Sequence, residues 1–341
     1  MVFVHCASGE CTKSELDLFS LKPTQTSIEN SFFMEVSPLA TLTPLPPIEI
    51  FVLRSTDMYL ELNNTLLHIV CKITKANGTN IEDDAKVAPI SYPVATMFNQ
   101  VDINLGDRLV TQSDNMYSYR SYIESILNYN RKAGDTQLSV ELFYKDTHLH
   151  FEDTALDSGN NGFKKQPASP PAGDSLTSWV AYIKGIKLNR NKDVLCLISG
   201  DAEQYKLLIL STSLFVKRVK ASPSLRLAHA KALQLSKAKY AIERVALKIF
   251  SIPAGTRLTQ HQNLFLGQLP KLIIIGFVDN TAFSGLYTSN FFNFKYYDIN
   301  YAVLVHKGAV IPAKPFTPSF WNIQFCQGIS QSVLDNGETP A

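Results

Sequence analysis

The sequence predicts an all-β fold, and three observations carry that prediction. Runs in which apolar and polar side chains alternate every second residue recur along most of the chain, as in half-buried strands. Turn residues (Gly, Pro, Asn, Asp) separate these runs at short intervals. Helical spacing is confined to two stretches, 115–131 and 223–239. Roughly eight or nine strand candidates precede Ser222 and about five follow it, which argues for antiparallel sandwiches of jelly-roll type, the second incomplete.

Taken in order, residues 1–47 hold no clean element. The stretch 14–30 is polar with spaced apolar residues, and Pro38, Pro44, Pro46 and Pro47 follow. This predicts an extended arm that needs another surface to lie on. From Ile48 the alternation begins, with Ile48, Ile50 and Val52 opposed to Glu49, Phe51 and Leu53. Leu67, Ile69, Cys71 and Ile73 form the next apolar face, and Val101, Ile103 and Leu105 the cleanest one. The stretch NMYSYRSYIESILNYN at 115–130 breaks this pattern: Tyr119, Ile123, Ile126 and Leu127 recur at helical spacing and are expected to form its buried side.

Further strands are expected at 138–144, 179–188, 194–198 and 205–220, with a loop over 157–175. Ser222-Pro223 then announces a helix, Ser as N-cap and Pro at the first helical position. Strands are expected again at 245–252, 271–279 and 296–306, with short pieces near Val310 and Phe325. The layout is therefore an arm at 1–47, a first sandwich at 48–221 with an inserted helix at 115–131, a linking helix and partial second sandwich at 222–320, and an irregular tail at 321–341.

Composition bounds the rest. The 341 residues, 45% hydrophobic with 20 Phe and 14 Tyr, suffice for one large domain or two ordinary ones. No run reaches the roughly 18 apolar residues that cross a bilayer. The opening MVFVHCASGE lacks both the basic start and the long apolar stretch of a signal peptide. Five scattered cysteines, Cys6, Cys11, Cys71, Cys196 and Cys326, predict reduced thiols in an unsecreted, intracellular protein of nucleus or cytoplasm. The glycosylation-type triplets at Asn63 and Asn77 then carry little weight. The net charge of +2 hides a polarity: residues 1–160 hold 11 Lys/Arg against 21 Asp/Glu, and residues 161–341 hold 21 against 9. Such polarity orients subunits against each other or turns one surface toward a polyanion.

Signatures of chemistry are sparse. There is no GxxxxGK[ST], no GxGxxG after a strand and no CxxC pair. His5, Cys6 and Cys11 lack a fourth zinc ligand nearby. His148 and His150 form an HxH without a Glu four or five places on, where Thr154 and Ala155 stand. Asp153 would point away from them in an extended strand. No catalytic, cofactor or metal site is assigned. The run 184–248 holds 14 Lys/Arg and four Asp/Glu, and Lys217, Arg218 and Lys220 are its candidate polyanion contacts, through sequence-independent phosphate attraction.

Several stretches resemble one family. They are SELDLFSLKPTQTSIENS (14–31), MFNQVDINLGDRLV (97–110), YSYRSYIESILNYN (117–130), LFVKRVKASPSLRLAHAKAL (214–233), LFLGQLPKLIIIGFVDNTAFSG (264–285) and SNFFNFKYYDINYAVLVHKGAVIPAKPFTPSF (289–320). In collinear order they resemble the double-jelly-roll major capsid protein of Polinton (Maverick) elements and adintoviruses. The resemblance implies two jelly rolls side by side and a hexon-like structural subunit without catalysis. It also implies a homotrimeric capsomer in a capsid lattice, beside a penton-type minor capsid protein and packaged DNA, located in the virion. Helices of such proteins plug a barrel end or meet a neighbouring subunit, which makes Tyr117, Tyr119, Tyr122, Ile123, Leu127, Phe19, Phe291 and Phe292 the candidate packing and assembly residues. Three departures accompany the resemblance: a short 175–188 stretch, Leu272 where the family has a basic residue, and an end soon after Phe320. They fit a truncated or degenerate copy. The alternative function is a host-retained, non-catalytic jelly-roll interaction module that binds nucleic acid non-specifically.

Overall fold

The computed structural model describes residues 25–318, apart from 41–46, 54, 83–84, 106–107, 112–113, 155–158, 166–175, 182–185, 201–202, 239–243, 266–269, 271 and 307. The strands are β1 (Ile28–Val36), β2 (Ile48–Ile50), β3 (Tyr59–Lys75), β4 (Val87–Pro89), β5 (Phe98–Leu105), β6 (Arg108–Leu109), β7 (Leu176–Ala181), β8 (Ile186–Arg190), β9 (Leu197–Ser199), β10 (Tyr205–Ala221), β11 (Ala302–His306) and β12 (Ala309–Phe316). The helices are α1 (Pro93–Thr96), α2 (Tyr117–Asn128), α3 (Arg131–Asp135), α4 (Asn161–Lys165), α5 (Pro223–Leu235) and α6 (Asn280–Ser284), with single 3-10 turns at Leu138–Glu141 and Asp193–Leu195. The described residues divide into two compact units, one of residues 25–257 and 280–293, the other of 258–279 and 294–318.

The first unit is framed by β3 and β10. Both are 17 residues long, and they pair antiparallel along their length, bulging at Ile209/Ser211 and Phe215/Lys217. β1 and β7 flank them, so the sheet reads β1-β10-β3-β7, and a second sheet reads β2-β8-β5-β6. Numbering these eight strands along the chain gives the orders 1-8-3-6 and 2-7-4-5. That is the pairing of two interleaved Greek keys, a jelly roll. The core lies between the sheets. Leu67, Ile69, Cys71 and Ile73 of β3 with Leu207, Leu214 and Val216 of β10 meet Ile48 and Ile50 of β2, Phe98 and Val101 of β5 and Leu188 of β8. The alternation of β3 and β2 is thus the alternation of buried and open side chains.

Several expectations change. Residues 28–36, read as part of a free arm, form β1: the surface they lie on is β10 of their own sheet. The single run expected at 179–188 belongs to two strands in different sheets, β7 on β3 and β8 between β2 and β5. Alternation cannot show a crossover between sheets, because side chains alternate alike in both. Residues 138–144 are not a strand. Leu142 takes a left-handed φ of 56°, and Leu142 and Phe143 donate back to Ser139 and Leu138, closing turns that carry Leu138 and Phe143 inward.

Residues 245–252 and 271–279 carry no strand among the described residues, although Val278 and Phe294 form an isolated bridge. Among the described residues the second unit shows one hairpin ladder, β11 on β12. The expected piece near Phe325, the tail at 321–341, Phe19, Cys6, Cys11 and Cys326 lie outside the described residues.

Helix α5 begins as expected: Ser222 is its N-cap, its Oγ accepting from Leu225 N at 3.4 Å, with Pro223 at the first turn. No side chain of this helix is buried. It is tied down by Arg226 to Asp57 at 2.9 Å and by a Tyr59 Oη to His229 Nδ1 hydrogen bond of 3.0 Å.

Candidate functional site

The tyrosine-rich helix α2 is the centre of an aromatic cluster in the first unit. Its start is held to the second sheet. Asn115 N donates to the buried Gln100 Oε1 (2.8 Å), and Ser118 Oγ donates to Phe98 O (2.9 Å). The buried side of α2 is Ser118, Tyr119, Ser121, Tyr122 and Ser125. This corrects the expected Tyr119/Ile123/Ile126/Leu127 face. Ile123 is half-buried, while Ile126 is 37% and Leu127 54% exposed. The physical reason is position: the serines at i, i+3 and i+7 share one helix side with the two tyrosines between them, and that side is the one turned inward.

Those rings meet the Phe291-Phe292 pair, which the helix spacing does not reveal. Tyr122 stacks on Phe292 with ring centres 3.8 Å apart, and Tyr119 stands edge-on to Phe291 at 5.1 Å and parallel to Phe283 at 6.1 Å. Phe143 joins from the 138–144 turns, 5.9 Å from Tyr122 and edge-on to Tyr92 at 5.4 Å. Tyr92 itself holds a left-handed φ of 66° and donates its N–H to the carbonyl of the equally left-handed Leu142 (3.1 Å). Bulky residues adopt that conformation only where surrounding packing enforces it. Burial raises the hydroxyls of Tyr92, Tyr119 and Tyr122 above the usual phenol range, so all three stay neutral.

Beneath the rings lies a polar knot that sequence inspection missed. The buried Asp146 accepts from Asn160 Nδ2 (2.9 Å) and Asn290 Nδ2 (3.1 Å). Asn160 Oδ1 in turn accepts from the N–H groups of Thr147, Gly162 and Phe163, capping α4, and Asn290 Oδ1 accepts from Phe292 N. Burial pushes the Asp146 carboxyl up to about 6, against the two amide hydrogen bonds that lower it. The only local signals were the asparagines of GNNG and SNFF, which read as loop residues.

The basic candidates are placed differently from their expectation. Lys217 pairs with Glu61 at 2.9 Å, Lys220 with Glu29 at 3.2 Å, and Arg218 is buried with its guanidinium donating to Leu53 O at 2.9 Å. VKRVK is a sheet-internal run whose valines enter the core and whose cations already have partners, so these three residues present no free cationic patch. His150 does meet Asp153, Nδ1 to Oδ2 at 2.6 Å, because 147–153 is a series of turns and not an extended strand. His148 is exposed beside it, and no group of three metal-ligating side chains occurs among the described residues. Cys71 and Cys196 are buried thiols outside any disulfide, that of Cys71 raised by burial to about 11. No described helix is long and apolar enough to cross a membrane.

No profile of a known protein family matches the chain. An uncharacterized protein of Caenorhabditis elegans is 21% identical to it over 342 residues, spanning 93% of this chain and 79% of that protein. Among solved structures, a chain of the Sputnik virophage is similar over 63% of this chain and 53% of its own, with a TM-score of 0.42 and 10% identity. The Faustovirus major capsid protein is similar over 63% of this chain and 58% of its own, with a TM-score of 0.36 and 8% identity. The chain spans little more than half the length of these two structures.

Proposed function

We propose that this chain is a structural subunit, a hexon-like double-jelly-roll capsid protein of a DNA virus or virus-like transposon, that associates with itself into trimeric capsomers. The observation that carries the proposal is its surface. Phe32 and Phe33 on β1, Ile126, Leu127 and Tyr129 at the end of α2, Leu227, Leu233 and Leu235 on α5, and Leu272–Ile275 are all exposed. Monomers rarely leave so many apolar side chains open in contiguous runs, and subunits of assemblies do. The jelly-roll order of the first unit and the collinear capsid-like stretches of the sequence agree with it. In this reading the aromatic plug is structural: it closes one end of the first roll and sets α2 so that Ile126 and Leu127 face a neighbour. Cohesion comes from apolar burial between copies, and the chain performs no catalysis.

Multi-angle light scattering with negative-stain microscopy of the purified chain tests this. A particle of three copies is expected. A monomer at all accessible concentrations overturns the proposal.

A further inference from the structure

Among the described residues, two stretches of main chain lack a partner in the same way. β1 bonds to β10 along one edge, and apart from Ile28 N, which reaches the Gln25 side chain, no group of its outer edge has a partner among the described residues. Phe32 and Phe33 flank that edge on opposite faces, the latter 49% exposed. Elsewhere, Leu272 to Gly276 belongs to no helix or strand, and none of its N–H or C=O groups is bonded among the described residues. Its side chains are open to solvent, Ile275 at 68%. One end of this stretch is anchored. Phe277 O accepts from Lys295 N at 2.9 Å, Val278 bridges Phe294, and Asp279 pairs with Lys295 at 3.4 Å. A Cβ on Gly276 would stand 2.9 Å from the Phe294 ring, so the ring packs against the main chain at this glycine.

A bare sheet edge is a template for an extended strand, because only extended main chain matches its row of donors and acceptors. Charge decides which strand. If β1 met β1 of a second copy about a two-fold axis centred on Phe32, Glu29 would lie directly opposite Glu35, and like charges in that position destabilise. Leu272–Gly276 carries no charge, and its aliphatic side chains suit the two phenylalanines. Pairing of Leu272–Gly276 with its own copy would be isologous and stop at two subunits. Joining two different patches is heterologous, and such contacts build a ring where the rotation between copies closes.

We propose, resting on the trimeric reading above, that Leu272–Gly276 of one copy adds as a fifth strand to the free edge of β1 in the next copy. Three such contacts close the ring.

The test mixes full-length copies carrying Phe33→Cys with isotope-labelled copies carrying Ile274→Cys. In both, Cys6, Cys11 and Cys326 are changed to Ser, and Cys71 and Cys196 stay buried. A short thiol cross-linker is added, the products are mapped by mass spectrometry, and particle size is read by light scattering. Cross-links between the two kinds of copy are expected. Ile274→Pro, which removes one donor from the incoming strand, should raise the concentration for half-dissociation about tenfold or more and leave the subunit's own unfolding unchanged. Trimers without the mixed cross-link, trimers indifferent to Ile274→Pro, or links only between Ile274→Cys copies overturn the strand addition and leave the trimer standing. Monomers throughout overturn the trimer itself.

Discussion

Asp146 is a buried carboxyl whose described partners are amides and no cation, and that sets its pH behaviour. Its carboxyl is raised to about 6 in the folded chain from 3.8 for a free side chain. The folded state therefore holds the proton more tightly than the unfolded one. The stability linked to this group is fully present below about pH 4 and is lost as pH rises through about 6, a swing of at most about 3 kcal/mol. Asp146→Ala removes the titration and leaves the Asn160 and Asn290 amides buried without an acceptor, at a cost of about 1–3 kcal/mol. The stability difference between the natural chain and this variant, read by denaturant unfolding, should be larger at pH 4 than at pH 7. An equal difference at both would show that Asp146 titrates like an exposed carboxyl.

At the scale of elements, α2 has an inside and an outside that differ from what its apolar spacing implies. Tyr122→Ala removes a ring stacked on Phe292 in a filled interior and should cost about 3–5 kcal/mol of subunit stability. Leu127→Ala should change it by no more than about 0.5 kcal/mol, since the side chain is more than half open, yet it should weaken assembly. Thermal unfolding of dilute subunits beside light scattering separates the two. A large stability loss from Leu127→Ala would return that residue to the core. β10 makes the complementary point. In VKRVK the strand spends Val216 and Val219 on the core, and Glu61 and Glu29 of neighbouring strands meet two of its three cations. A basic run within a sheet is then an internal ladder of charge pairs, each worth little at the surface.

The described residues leave many large apolar side chains open, and mass action gives the proposed self-association a measurable form. Where burial of these runs depends on other copies, the midpoint of thermal unfolding rises with protein concentration. A midpoint that stays constant over a hundredfold range of about micromolar concentrations would show that the exposed runs on β1, α2 and α5 need no partner.

Much of the first unit was legible in the sequence because its signals are local. The face of Leu67, Ile69, Cys71 and Ile73, the opposed faces of 48–53, and the Ser222-Pro223 start of α5 all follow from side-chain period and capping chemistry, which act over a few residues. The existence of α2 belongs with them. The tertiary structure decided which side of α2 is buried, because that depends on the Ser118 hydrogen bond to β5 and on phenylalanines some 170 residues away. It split 176–190 between two sheets, turned 138–144 into loops around left-handed Leu142, and assembled Asp146, Asn160 and Asn290 into one knot. Each of these is a contact between segments distant in sequence, and a periodic pattern carries no record of the surface it will meet.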